Sequence, residues 1–299
     1  MPVFNTDRYL RCALESVRNQ SFRAFELIVL NDGSTDRSAD ILRNFARGEP
    51  RLRLIDRPNR GLIATRNELL NEAQFDLVAW MDSDDLSHVD RLKLQVAAFD
   101  EDEALVCLGT NIQLVDPEGH PLGFEKYPHD DRAVREAQLS GGGLRFASTM
   151  QRRLAAVGAG GFRQPFRIGE DLDFLLRVAD LGRIGNLPDN LYIYRQHLLS
   201  TCMKLGLNWP EYSSVILELA SERRKGGEDR LQRGEVITLP VPERRDQDKL
   251  IPVVLLDWAR GAVSAGDRLR AIRYALKSIA ASPRRVAGWR QLVKLLLFR

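Results

Sequence analysis

The strongest constraint in this 299-residue chain is the period of its first hundred residues, which switches back and forth between two and 3.6. "MPVF" reads as a short strand. "DRYLRCALESVRN" (7–19) places Leu10, Leu14 and Val17 at helical spacing. "FELIVL" (25–30) is a continuous apolar strand, and "DRSADILRNFA" (36–46) is helical again. "RLRLID" (51–56) alternates as a strand, "LIATRNELLNEA" (62–73) is a helix, "DLVAWM" (76–81) a strand and "VDRLKLQVAAF" (89–99) a helix. Strands that alternate with helices demand a sheet covered on its faces, mostly parallel because each crossover returns to the same edge. Ligands of such sheets gather at the carboxyl ends of the strands.

Beyond residue 100 the pattern changes. "ALVCLGTNIQLVD" (104–116) predicts one or two strands with a turn at "DPEGHP", and 121–147 read as irregular. "MQRRLAAVGAGGF" (150–162) predicts a short helix, "EDLDFLLRVADLG" (170–182) an amphipathic helix, and "RIGNLP" and "LYIYRQH" two strands. Residues 204–248 lose periodicity and gain charge, which predicts a linker or flap. Helices follow at 250–265, 267–281 and 284–298. The domains expected are therefore 1–203, with a nucleotide-binding half over about 1–116 and an acceptor half over about 117–203, then a linker at 204–249 and a basic helical region at 250–299.

Bulk properties narrow the class. No apolar run approaches the roughly 20 residues of a membrane-spanning helix. Met1 leads straight into "PVFNTDRYL" without a basic start or an apolar core, so no signal peptide is read here. Cys12, Cys107 and Cys202 match no metal or disulfide spacing and read as three small buried residues of a reduced, cytoplasmic protein. The net charge of +3 hides an asymmetry: from Arg260 to Arg299 ten Lys/Arg face one acid, a net of +9, which leaves −6 on the rest. In 284–298, Val286, Trp289, Leu292, Val293 and Leu296 make an apolar helical face among Arg and Lys. That pattern suits an anionic membrane surface at the inner face or a helix packed on its own domain. No recognition motif or aromatic-interleaved basic sheet points to nucleic acid.

Carboxylates collect at the predicted strand ends. Asp82, Asp84 and Asp85 in "WMDSDDL" suit a hard divalent cation carrying phosphates, or the cap of the following helix. Asp32 in "NDGSTD" suits a base or ribose contact, or a turn and cap. Arg66 lies between these clusters and could balance them, reach a diphosphate, or sit in a surface ion pair. Glu170 and Asp171 open a helix, where acids favour the dipole; framed by Phe166, Ile168 and Leu172, one of them could have the raised pKa of a general base.

Six stretches, in order, are similar to those of family 2 glycosyltransferases of GT-A fold: "MPVFN…YLRCALESVRNQSF", "FELIVLNDGSTDRS", "NRGLIATRNELL", "LVAWMDSDDL…RL", "GEDLDFLLRVADLG" and "LPDNLYIYRQHLLS", together covering about residues 1–201. The resemblance implies a Rossmann-like, mostly parallel sheet flanked by helices, with a C-terminal helical extension. It implies an inverting, metal-dependent hexosyltransferase that moves a sugar from a nucleotide-diphosphate donor to a hydroxyl of a glycan or lipid-linked acceptor in surface polysaccharide or glycoconjugate synthesis. By the same resemblance Pro2, Phe4, Asp32, Arg66 and Asp82 serve the nucleotide-sugar. Asp82, Asp84 and His197 serve Mg²⁺ or Mn²⁺. Asp171 is the general base, with Glu170 beside it. The chain departs from relatives where it opens, because they carry further apolar residues before "MPVFN". That implies either an upstream start or a shortened central strand that exposes its neighbours' edges. A non-catalytic nucleotide-sugar-binding or glycan-assembly protein of the same fold is the alternative reading. A nucleotidyltransferase would want a glycine-rich, basic first loop, which "MPVFNTDRYL" lacks.

Overall fold

The first hundred residues of the computed structural model, which describes residues 1–200, 203, 209–243 and 246–297, follow the expected alternation. The elements are β1 (Pro2–Val3), α1 (Asp7–Arg18), β2 (Leu27–Asp32), α2 (Ser38–Ala46), β3 (Leu52–Arg57), α3 (Leu62–Glu72), β4 (Leu77–Ala79), β5 (Leu86–Ser87) and α4 (Arg91–Glu101). The periods explain the burial. On α1 the residues at i, i+1, i+4, i+5 and i+8 from Tyr9 are inside, whereas all six residues of β2 are buried because both faces of that strand are covered.

Pairing is more mixed than one mostly parallel sheet. β1, β2 and β3 form a parallel three-stranded sheet. A six-stranded sheet takes β4 with β6 (Leu105–Val115), β8 (Met150–Arg152), β9 (Arg183–Arg195) and β5 in the order β4-β8-β6-β9-β5, and β7 (Pro121–Glu125) pairs with β6. Its β4/β8, β6/β8 and β5/β9 pairs are antiparallel. β1 meets only the end of β2, with Pro2 opposite Leu30 and Val3 opposite Asn31. Below it the flanks of β2 and β4 border an apolar pocket of about 300 Å³, lined by Leu27, Ile28, Val78 and Trp80 among others.

Three expectations are corrected. Residues 121–147 are not irregular: they hold β7 and α5 (Asp131–Gln138), whose start is capped by the Asp130 carboxylate accepting from the Ala133 amide. "RIGNLP" and "LYIYRQH" belong to one strand, β9. The expected linker holds an 18-residue helix, α8 (Trp209–Gly226), which follows α6 (Arg153–Gly158) and α7 (Glu170–Ala179). Its high charge hid an apolar stripe. Tyr212, Ile216, Leu219 and Ala220 pack against Phe166, Leu172 and Leu176. Its Arg223 also pairs inward, with Asp180 and Asp229, and Arg163, before α7, binds Asp173 and the same Asp229. Residues 204–208 and 244–245 of the expected linker lie outside the described residues, as does Cys202. Cys107 is buried, which pushes its thiol up to about 12, but Cys12 is exposed, contrary to the reading of three buried cysteines.

The chain divides into two units, and the division does not fall at residue 203. The first comprises Met1–Ile112, Lys126–Ile193 and Trp209–Pro240; the second comprises Gln113–Glu125, Tyr194–Asn208 and Val241–Arg299. The core of the first is built from β2, α3, the "GGGLRF" segment and α7, with Leu30, Leu69, Trp80, Phe146, Phe162 and Phe174 inside. In the second, α9 (Gln247–Ser264), α10 (Arg268–Ala281) and α11 (Val286–Leu297) take the hairpin around Leu122 with them. Leu122 packs on Val254, Leu255 and Trp258, and the Tyr274 hydroxyl donates to Asp116 at 2.7 Å. Gly261 makes that approach possible, since a Cβ there would lie 2.6 Å from the Leu122 carbonyl oxygen. No helix among the described residues is long and apolar enough to cross a membrane.

Candidate active site

Three loops at the carboxyl ends of the first strands are knitted together by short polar side chains. The Asn5 side chain accepts from the Thr35 amide at 2.8 Å, and the Asn5 amide donates to Ser34 Oγ at 3.0 Å. The Thr6 hydroxyl donates to Ser83 Oγ at 3.1 Å, which ties the first loop to the Asp82 loop. These bonds fix the position of Phe4, which is 48% exposed, while Pro2 is half-buried. Asp32 is buried and already engaged. Its carboxylate accepts from Arg57, from the Arg60 amide at 2.8 Å and from the Gly61 amide at 2.9 Å. Its place in the site is therefore to hold the Asn59–Gly61 loop against β2. Gly33, at φ +70°, lies under the same loop, where a Cβ would come within 2.6 Å of the Asn59 nitrogen.

Asp82 follows the buried end of β4. Its amide donates to the Tyr192 hydroxyl oxygen at 3.2 Å, and about a third of its side chain, 32%, is open to solvent. The loop is clamped from behind by Arg91, which donates to the Trp80 carbonyl at 2.9 Å and lies 5.0 Å over the Tyr192 ring. Burial pulls the Arg91 guanidinium down to about 10, against the support of Tyr192, Asp82 and Asp85. Asp85 is 1% exposed and acts on Arg91 and Tyr192, whereas Asp84 is partly exposed.

Arg66, on α3, stands at the centre. Its guanidinium donates to Glu170 at 2.6 Å and lies 3.9 Å from Asp82. It is supported 4.5 Å over the Phe146 ring and 5.4 Å from that of Phe162. Those rings belong to a cluster with Trp80 and Phe174. Asn67, the next residue, grips the Phe162 backbone at both its N–H and C=O, at 2.7 and 2.8 Å. Glu170 and Asp171 enter from the first turn of α7, after Gly169 in the left-handed region (φ +72°). A Cβ on Gly169 would lie 2.9 Å from Ile216.

The electrostatics follow from that placement. Burial raises the Glu170 carboxyl to about 7; Arg66 opposes this and Asp171 adds to it. Burial likewise raises Asp82, Arg66 lowers it, and Asp84 and Asp171 raise it further. Asp82, Glu170 and Asp171 thus act together on Arg66, which burial disfavours but these three hold charged; Asp82 also acts on Arg91 and the Met1 amine.

An acid-rich cleft at the carboxyl ends of an α/β sheet coincides with a family match: the model described as "Glycosyl transferase family 2" fits residues 1–154, half of the chain. The chain belongs to glycosyl transferase family 2. A relative within it is hyaluronan synthase of Pasteurella multocida, 25% identical over 219 residues, which are 72% of this chain and 22% of that one. The chain spans less than a third of the length of the first curated relatives it matches. Its fold is that of TarS 1-349 of S. aureus, solved with UDP-GlcNAc (TM-score 0.63, 18% identity, 98% of this chain and 87% of that one). It is also that of the mannosyltransferase PcManGT of Pyrobaculum calidifontis, solved with GDP-Man and Mn²⁺ (TM-score 0.54, 19% identity, 99% and 85%).

The residues of this family 2 glycosyltransferase suit a divalent cation in one respect. Asp82 and Asp84 offer hard oxygen donors close enough for Asp84 to raise Asp82. Among the described residues no three His, Cys, Asp or Glu converge as a closed metal cage. His197 is carried by the second unit, where it is buried. The structure also supplies partners that spacing did not reveal: Phe146 and Phe162 under Arg66, Arg57 on Asp32, and Arg91 behind the Asp82 loop. The one signal for the aromatics was a Phe at the end of each glycine-rich stretch, "GGGLRF" and "GAGGF".

Proposed function

We propose that this chain is an inverting glycosyltransferase that moves a sugar from a nucleotide-diphosphate donor to an acceptor hydroxyl. The observation that carries the reading is the convergence of Asp82, Glu170 and Asp171 on the buried Arg66, at the strand ends where such sheets bind ligands. Asp171, at a helix start beside Arg66, takes the proton of the acceptor hydroxyl as its oxygen attacks the anomeric carbon. The bond from that carbon to the diphosphate oxygen breaks on the opposite face, and the nucleoside diphosphate leaves. Glu170 holds Arg66 in place for the donor's phosphates, and Phe4 offers an apolar face to the base. A divalent ion bound at Asp82 and Asp84 supplies positive charge to the leaving diphosphate. The acceptor belongs to a surface polysaccharide or a lipid-linked glycan, which the hyaluronan synthase relative supports, and the enzyme works in the cytoplasm at the inner face of the membrane.

A thermal-shift screen of nucleotide-sugars with and without Mn²⁺ tests this, since a ligand that binds only the folded state raises the melting temperature. One donor should stabilise the wild type strongly with Mn²⁺ and Asp82→Asn much less. If neither Mn²⁺ nor Mg²⁺ strengthens capture of any donor, the reading fails.

A further inference from the structure

Helix α11 in the second unit has two apolar sides. One packs inward: Leu292 and Leu295 meet Ala271, Ala275 and Ile279, and Gly288 allows close approach because a Cβ there would lie 2.9 Å from Ile279. The other side faces solvent. Val286, Trp289, Val293, Leu296 and Leu297 are between 49% and 71% exposed. At about 100° per residue they fall within an arc of roughly 100°, with Arg285 on one edge and Arg290 and Lys294 on the other. The sequence pattern alone placed Leu292 on this strip; the structure puts it in the core and rotates the strip away from it.

Charge points the same way. Within the basic segment Arg260 pairs with Asp257 and Arg270 with Asp267, and Arg268 donates to the Leu295 carbonyl. Arg273, Lys277, Arg284, Arg285, Arg290 and Lys294 have no acidic partner among the described residues. A wide apolar strip in water is unfavourable. A strip bordered on both edges by uncompensated cations suits an apolar phase with an anionic rim, and no described helix is long and apolar enough to cross one.

We propose that α11 lies in the plane of an anionic lipid surface, with Val286, Trp289, Val293, Leu296 and Leu297 among the acyl chains and Arg285, Arg290 and Lys294 at the headgroups. This deepens the proposed membrane contact and rests on that reading, yet it uses no residue of the cleft. The test is flotation of the full chain with phosphatidylcholine vesicles, alone or with roughly one-third phosphatidylglycerol. The wild type should float with the anionic vesicles only. Val293→Ser with Leu296→Ser should weaken that binding by about tenfold or more without lowering the melting temperature, because both side chains are already exposed. Arg290→Glu with Lys294→Glu should weaken it too. The proposal is overturned if the serine variant floats like the wild type. It is equally overturned if heparin is bound as tightly as the vesicles, which would make charge alone the cause, or if the strip mediates self-association without lipid binding. Donor-induced stabilisation in solution is measured in parallel. Its loss with flotation intact would remove the glycosyltransferase reading alone, and the reverse would remove only the membrane face.

Discussion

Helix α7 carries two buried charge clusters, and they are built on opposite principles. One turn into the helix, Asp173 meets Arg163 and Arg177, and Asp229 and Asp180 complete the set with Arg223, three carboxylates to three guanidiniums. In its first turn, Glu170 and Asp171 join Asp82 around Arg66. The first cluster neutralises itself and fastens α8 to α7. The second gathers three carboxylates on one guanidinium and stays partly open to solvent at Asp82. Asp173 and Asp229 are closed off by their arginines, whereas Asp82 is left a third open, a distinction that the presence of charged residues alone does not make.

Two substitutions should break the pair apart. Asp171→Asn should lower turnover by about 10²–10⁴-fold, the usual share of a general base, with the melting curve unchanged. Asp229→Ala should do the reverse. It strands Arg163 and Arg223, and removing one partner of a buried ionic set costs about 3–5 kcal/mol. Chemical denaturation and nucleoside-diphosphate release on both variants decide the matter. A stable Asp229→Ala protein, or an unfolded Asp171→Asn one, would mean the roles are misassigned. A smaller effect sharpens the contrast from the aromatic side of the cleft. Gly161→Ala puts a Cβ 2.5 Å from Asn67 Oδ1 at φ +64°, so it should cost about 1–3 kcal/mol and loosen the Asn67 grip on Phe162, the ring beside Arg66. Unchanged stability would show that this loop gives way freely.

What could be read from the sequence follows the same line. The alternating periods revealed β2, β3, α1 and α3 because their burial repeats at short range. The acids at strand ends were visible because strand ends are. α8 was missed because Arg223 on it and Asp229 just after it pair with Asp180 and Arg163, 43 and 66 residues away, so that a composition typical of a solvated segment is in part internal. The antiparallel sheet was missed for a related reason: β4 pairs with β8 some 73 residues later, a register that no local pattern encodes. Asp32 shows the limit at the level of one residue. Its position at the end of a strand was evident, but its engagement by Arg57 and the Arg60 and Gly61 amides depends on where the next loop returns.

Protonation gives the finest test of the two clusters. Glu170 is raised from an ordinary 4.5 to about 7, chiefly by burial, so between those values the folded state holds a proton that the unfolded chain has released. Stability must then fall as pH rises through this window, be complete below about 4.5, and level off above about 7. Denaturant midpoints of the ligand-free protein from about pH 5 to about 8 should show that decline in the wild type and a flatter curve in Glu170→Gln. Arg66→Gln removes the cation that restrains the shift, so the decline should extend to higher pH. The balanced cluster behaves oppositely. Asp229 is buried, which alone would raise it, but hydrogen bonds from Arg163, the Gln232 amide and Arg223 hold its carboxyl below the ordinary value. Its contribution is present above the ordinary carboxylate range and is lost only in acid. Parallel curves for wild type and Glu170→Gln across neutral pH would mean that Glu170 and Arg66 balance each other as fully as the α7–α8 set does.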